Sequence, residues 1–474
     1  MSLVDELIAL LGANNLITDA GEMAASLEDW RGRYRGAALC VARPASTAEV
    51  AAVVACCHRH RVPVLPQGGN TGLVGGSVPP SSGPAPVIIN LQRMRRIGLV
   101  DPVNNSIEVQ AGCVLANVQQ AARDAGRLYP VSLGAEGSCQ IGGTIATNAG
   151  GISVLRYGNT RDNVLGIEVV LADGTICSEL RALRKDNTGY DLKHLFIGSE
   201  GTLGIITAAV LKLHPLPTRC AVAWVGVSSP AQAIELLVLT RQLSGSSLSA
   251  FELMNQLQLD LVVEHVPQRR SPLDTRHPWH VLIELADTAG SADPEAALTA
   301  ILEQAFDQAI VDNASIASSQ GQQAAMWELR HSVSEANKKG GIGLTTDCAV
   351  PVSTIATFIE RANAAVAKLA PQAQIVIVGH MGDGNIHYIP FFPFAVWDGL
   401  EQTEALAREL RRAVNDVAAE LAGTFSAEHG VGQTSLDEMH NYKSAASLAL
   451  MRAIKHAVDP LGLFNPGRLI PPEK

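Results

Sequence analysis

The sequence predicts an α+β protein of more than one domain. Three observations carry this. Short apolar strands alternate with amphipathic helices along the whole chain, glycines gather in a few loops, and 474 residues suffice for two or three domains of ordinary size. The 42 glycines and 24 prolines follow no repeat, so the glycine-rich loops are places where backbone turns sharply or approaches a ligand.

The elements follow in order. Residues 1–18, MSLVDELIALLGANNLIT, read as a short amphipathic helix carrying acids. It lacks a basic leader region and a small-residue cleavage site and is not read as a signal peptide. In ALCVARPASTAEVAAVVACCHRHRVPVLP a strand stops at a proline. Ser46 or Thr47 then caps a helix with Glu49 in its first turn, the helix ends near His60, and a strand follows. PVIINL and NNSIEVQAGCVL are strands, and LANVQQAARDAG is a helix ending near Gly126. VLGIEVVLADGTI is a hairpin turning at Asp173-Gly174. A well-alternating strand stops at Pro215 and Pro217, which sets a domain boundary near residue 218.

Beyond it, AVAWVGV and WHVLIELAD are strands, and SPAQAIELLVLTRQL and DPEAALTAILEQAF are helices. TTDCAVPVSTIATFIERANAAVAKL reads as a strand, a proline stop and a helix. QIVIVGHMGDGNIHYIP reads as strand, glycine-rich loop, strand. Residues 401–422 are strongly helical, and a last helix surrounds SLALMRAIKHAV. The expected division is 1–217, 218–425 and a C-terminal segment 426–474.

Net charge is −10, from 36 Lys plus Arg against 46 Asp plus Glu, and no basic block stands out, which argues against nucleic acid as a partner. The eight cysteines include no C-x-x-C pair, and the adjacent Cys56 and Cys57 read as small buried hydrophobes. A reducing, cytoplasmic setting is expected. No apolar run is long enough to span a membrane, and peripheral attachment to one stays open.

The loop LPQGGNTGLVGGSVP carries Gly68, Gly69, Gly72, Gly75 and Gly76. Successive exposed N–H groups in such a loop bind anions, although a set of tight turns would look the same. It is neither G-x-G-x-x-G nor a Walker loop. A second run holds Gly142, Gly143, Gly150 and Gly151 with Thr144, Thr147 and Asn148, and GSEGTLGII adds Glu200, Gly201 and Gly204. The first two runs can line both sides of one long cofactor, with hydroxyls and amides meeting its polar edges. In GHMGDGNIHYIP a glycine-rich turn separates His380 from His387, so a hairpin would bring both rings to one point. SAEHGVG adds Glu428 and His429. Two His and one Glu suit zinc, manganese or iron, while hydrogen-bonded turn residues are the alternative. Arg330, on a predicted helix, is either a surface cation or a carboxylate clamp.

PQGGNTGLVGG, IGGTIATNAGG, YG and GSEGTLGII resemble the FAD-binding domain of the vanillyl-alcohol-oxidase-type flavoproteins. GHMGDGNIHY followed by EHGVG, and the W-x-x-R-H of residues 327–331 followed by TTDCAVPVS, resemble their D-lactate, glycolate and D-2-hydroxyglutarate dehydrogenase branch. The resemblance implies an FAD-binding domain of two α/β subdomains and an α+β substrate domain with an antiparallel sheet. It implies that Gly68, Gly69, Asn70, Thr71, Gly72 and Leu73 cradle the pyrophosphate. Gly142, Thr144, Thr147, Asn148 and Gly150 would run beside the flavin, with Gly201 and Ile206 supplying backbone contacts. The segment 426–474 would return to the flavin, with Asn465 closing against that region, and Tyr157 would pack near the cofactor. Some relatives attach FAD through a His in the first loop; Asn70 stands in this loop, so noncovalent FAD is expected. His380, His387 and Glu428 would hold a divalent metal, zinc first and manganese second. His429 would be the general base and Arg330 the clamp for the substrate carboxylate.

Departures bear on the substrate. Thr345 stands where the diacid enzymes carry Lys, Ile389 where they carry Asn, and Ser334 where they carry Thr. Losing a cation and an amide disfavours a second buried carboxylate, so D-lactate or a similar monocarboxylate is expected. D-2-hydroxyglutarate and a glycolate-oxidising subunit are the alternatives. Electrons would pass to a quinone, a cytochrome or an electron-transfer flavoprotein, and a homodimer is the expected assembly.

Overall fold

The computed structural model describes residues 1–288, 290 and 293–473. The chain forms two compact units. The first comprises Met1–Gly150, Gly158–Leu216 and Glu428–Lys474, and the second Gly151–Tyr157 and Pro217–Ala427. The C-terminal residues are therefore part of the first unit. Gly151–Tyr157 joins the second, where Arg156 donates to the carbonyl of Ala286 (2.7 Å) and Leu155 lies against Gly382. Tyr157 belongs to this second unit as well.

The first unit holds two main sheets. One contains β1 (Leu16–Ile17), β2 (Cys40–Ala42), β3 (Val64–Gln67) and β4 (Val87–Asn90), in the order β1-β2-β4-β3. β2 and β3 both run parallel to β4. The helix Thr47–His60 connects β2 to β3 and buries Val50, Val53, Val54, Cys56 and Cys57. Its start is local chemistry: the Ser46 side chain accepts from the Glu49 amide, satisfying one otherwise unpaired helix N–H.

The other sheet contains β5 (Ile97–Asp101), β6 (Ser106–Gln110), β8 (Val164–Val170), β9 (Ile176–Glu179) and β10 (Ile205–Lys212), ordered β5-β6-β10-β8-β9. A small pair, β7 (Arg127–Leu128) and β11 (His214–Pro215), stands beside it in sequence. All pairs in the five-stranded sheet are antiparallel, so this subdomain is α+β, not the α/β unit expected. The hairpin β8–β9 shows why: Asp173-Gly174, with Gly174 at φ 91°, returns the chain directly, where a parallel neighbour would need a helical crossover.

The second unit is built on one antiparallel sheet of β12 (Arg219–Val227), β13 (Leu248–Asn255), β14 (Trp279–Asp287), β15 (Asn313–Ile316), β16 (Gly341–Gly343), β17 (Cys348–Ala349), β18 (Gln374–His380) and β19 (Asn385–Pro393). Its order is β15-β12-β14-β13-β18-β19-β16, with β17 also on β19. Side chains alternate between faces along each strand. Ala223, Val225, Phe251, Leu253, Ile283, Ile377 and Tyr388 point to one face, packed by the helices Pro230–Ser244, Pro294–Asp307, Ile355–Leu369 and Thr403–Glu420. Trp224, Met254, Leu282, Val376, Val378, Ile389 and Phe391 point to the other, under the helices Gln256–His265, Gln320–His331 and Val333–Gly340. That second face also receives the polar groups described next.

Candidate active site

In the first unit the glycine loops lie against each other. A Cβ on Gly69 would fall 2.1 Å from the carbonyl oxygen of Ser138, and one on Gly201 would fall 2.4 Å from Cγ of Pro66. A side chain on Gly69 would strike backbone and one on Gly201 would strike the Pro66 ring, so the close approach itself calls for glycine. The second run is partly helical: Ile141–Ala146 form a short helix, with Gly142 pressed against Ala111. Its end supports the third loop, because the Ala146 carbonyl accepts from the Glu200 amide (2.8 Å). Asn465 joins the set, donating through Nδ2 to the carbonyls of Gly76 (3.0 Å) and Glu200 (2.8 Å).

Several side chains expected to face a cofactor are engaged locally. Asn70 Nδ2 donates to the carbonyl of Glu28 (2.8 Å), and its Oδ1 accepts from Ser77 (2.8 Å). Thr144 and Thr147 donate their hydroxyl protons to the carbonyls of Ile141 and Gly143. Asn148 Oδ1 accepts from the Arg161 amide (2.9 Å). Ile206 is buried in β10. These residues shape the loops, leaving backbone N–H groups and hydroxyl lone pairs for a ligand. Glu200 is buried, and burial pushes its carboxyl above the usual range even though the amides of Val431 and Gly432 donate to it at 2.7 Å.

The loops fit a flavin dinucleotide on two counts. A Cβ on Gly72 or Gly143 would meet nothing within 4 Å, so open space adjoins both runs. Gln140 Oε1 and Asn465 Oδ1 are buried acceptors with no donor among the described residues, which suits the N–H and O–H groups of a polar ligand.

In the second unit the hairpin β18–β19 brings the two histidines together. Val378 pairs with His387 and His380 with Asn385, so both rings project from one face, with centroids 5.7 Å apart. The Asp383-Gly384 turn between them, with Gly384 at φ 90°, makes this possible. His380 Nδ1 lies 2.8 Å from Oε1 of Glu252, whose Oε2 accepts from Arg330 Nε at 2.7 Å. Burial alone would raise the Glu252 carboxyl, but His380 and Arg330 facing it prevail and hold it below the usual range. With Nε engaged, the Nη1–Nη2 edge of Arg330 faces away from Glu252 Oε2, and Nη2 lies 3.5 Å from His380 Nε2.

Asp347 lies 3.8 Å from His387 Nδ1 and accepts from Asn385 Nδ2 (3.1 Å) and from the Ala427 amide (3.0 Å). Glu428 is the next residue after Ala427. In the first unit, Glu428 Oε1 lies 3.8 Å from His429 Nε2. Within each unit, therefore, a His and a carboxylate offer ligand atoms within 4.8 Å of each other: His387 with Asp347, and His429 with Glu428. This donor chemistry fits a divalent ion. Glu252 and Asp347 escaped sequence reasoning. Asp347 lies within the TTDCAVPVS motif, which reads as a strand and not as a site, and Glu252 sits in an otherwise apolar strand, where a lone acid is the one signal available.

Residues 38–178 match the family model described as an FAD binding domain, and residues 216–469 match the C-terminal domain of FAD linked oxidases. A mitochondrial D-2-hydroxyglutarate dehydrogenase of Bos taurus is 38% identical, covering 98% of this chain and 84% of its own. A D-2-hydroxyglutarate dehydrogenase of Xanthomonas citri pv. viticola is 36% identical, covering 96% of this chain and 94% of its own. Among solved structures, substrate-bound p-cresol methylhydroxylase aligns with a TM-score of 0.77 at 17% identity, over 99% of this chain and 96% of its own, a likeness of fold. No described helix is long and apolar enough to cross a membrane.

Proposed function

The chain belongs to the FAD-linked oxidases, among the D-2-hydroxy-acid dehydrogenases, and on that footing we propose that it oxidises D-2-hydroxyglutarate to the 2-keto acid. The observation that carries the chemistry is the convergence of His380, His387 and Arg330 on one face of the second unit's sheet, with Glu252 joining Arg330 to His380. The diacid is supported by the bovine and Xanthomonas relatives, both named for it and alike over nearly the whole chain.

When bound, FAD supplies a two-electron acceptor and a divalent ion supplies Lewis acidity. His380, His387 and Glu428 are the proposed ligands, with Asp347 beside His387. Arg330 holds the α-carboxylate through its Nη edge and so fixes where the α-carbon lies. His429, in its neutral form, takes the hydroxyl proton. FAD is held without a covalent link, the first loop having Asn70 and no His. A quinone, a cytochrome or an electron-transfer flavoprotein takes the electrons onward.

A second reading, D-lactate or a similar short monocarboxylate, is favoured by two side chains. Ile389 is buried in the apolar cluster with Val376, Val378 and Phe391, and Thr345 carries no charge. Neither answers a distal carboxylate, and an unmatched buried carboxylate costs several kcal/mol. Anaerobic bleaching of the flavin decides between them. The proposal expects D-2-hydroxyglutarate to reduce the flavin at the lower concentration. Preferential bleaching by D-lactate would install the second reading, and no bleaching by either acid would sink both.

A further inference from the structure

We propose that Glu252 is the positioning residue that sets how His380 meets a metal ion and how Arg330 meets a substrate carboxylate, a role that rests on the dehydrogenase reading above. Strand register creates the arrangement. Glu252 of β13 is the direct cross-strand partner of His380 in β18, so both side chains leave the same face of the sheet. The helix Gln320–His331 lies over that face and brings Arg330 to the other carboxylate oxygen, at 2.7 Å. Glu252 is 3% exposed, and the Arg330 side chain 12%. A carboxylate in this position is held by its two partners.

For the neutral ring, two contacts select the imidazole tautomer. Arg330 Nη2 lies 3.5 Å from His380 Nε2. A guanidinium only donates, so the ring nitrogen facing it carries a lone pair. The carboxylate accepts, so Nδ1, 2.8 Å from Glu252 Oε1, carries the proton. That tautomer presents Nε2 to a metal, and an Nδ1–H held by a carboxylate strengthens the ring as a ligand. Glu252 has a second effect on the same atom. Unpaired, the Arg330 cation would repel a metal ion at Nε2; paired, the two side chains sum to no net charge. The third effect is on Arg330 itself: with Nε engaged, the guanidinium plane is fixed and its Nη edge is the part that can meet a substrate.

A purely structural buried ion pair would give the same distances, and its loss would move stability alone. The test therefore reads metal affinity directly. The FAD-loaded protein is stripped with a chelator, and zinc affinity is measured by competition with a chromophoric chelator, flavin absorbance serving as the control for folding. Glu252→Gln is expected to keep its flavin, to bind zinc about 10–100-fold more weakly, and to raise KM for the hydroxy acid more than it lowers kcat. Glu252→Asp keeps the charge on a shorter arm and is expected to recover part of both losses. Zinc affinity and KM at wild-type values in Glu252→Gln would overturn the role. Should that variant lose its flavin, Glu252→Asp decides, and wild-type affinity there overturns the role equally. A wild-type protein that binds no zinc would retire the metal centre itself, and this role with it. That outcome is distinct from a zinc-binding wild type whose Glu252 variants are unaffected.

Discussion

Asn70, Asn148, Glu200 and Asn465 hold left-handed backbone, at φ 53°, 49°, 53° and 42°. Each lies in or against a glycine loop, and each is held by side-chain hydrogen bonds. A left-handed conformation in a residue with a Cβ is costly and persists where the surroundings determine it. The Asn residues were legible as site candidates, but their hydrogen-bond partners were not, because Glu28, Arg161 and Gly76 are distant in sequence or carry no pattern. In the proposed mechanism His429 takes the hydroxyl proton. Substituting His429→Ala is expected to lower turnover by about 10²–10⁴-fold while FAD stays bound. Turnover and flavin content together check this, and unchanged turnover would remove His429 from the mechanism.

Among elements, the loops and the hairpin β18–β19 differ in how far sequence reached. The hairpin was legible: a glycine turn between two apolar runs leaves one arrangement for His380 and His387. The glycine loops were legible as loops, but not in their mutual packing, nor was the short helix Ile141–Ala146, since glycines disfavour helix and tertiary contact with Ala111 overrides that preference. Gly69→Ala tests the packing. The added methyl would lie 2.1 Å from the Ser138 carbonyl oxygen, so backbone must shift. The variant is expected to release FAD more readily and to unfold at lower temperature, with a loss of about 1–3 kcal/mol. Flavin retention on gel filtration and a melting curve measure both, and wild-type retention would show that the two runs need not touch.

At the scale of the whole chain, the loops that fit FAD belong to the first unit, and of the proposed metal ligands His380 and His387 belong to the second and Glu428 to the first. No proposed metal ligand lies in the glycine loops, so FAD retention and metal dependence are expected to separate. Treatment with a chelator should abolish turnover and leave the flavin absorbance intact, and zinc or manganese should restore activity. Full activity after exhaustive chelation would argue for metal-free chemistry, and loss of flavin with the metal would argue that the two are coupled.

The sequence by itself determined the α+β class, the glycine loops and the short motifs that carry His380, His387, Glu428 and His429, because turn chemistry and strand alternation are local. Tertiary structure decided what depends on strand order and on segments distant in the chain. It made the sheet of β5, β6, β8, β9 and β10 antiparallel and set Gly151–Tyr157 in the second unit. It also placed Glu252 across the sheet from His380, well over a hundred residues later in the chain. No periodicity spans such a distance. Register between two strands is settled by which faces bury apolar side chains, and only then does a single acid in an apolar strand acquire a partner.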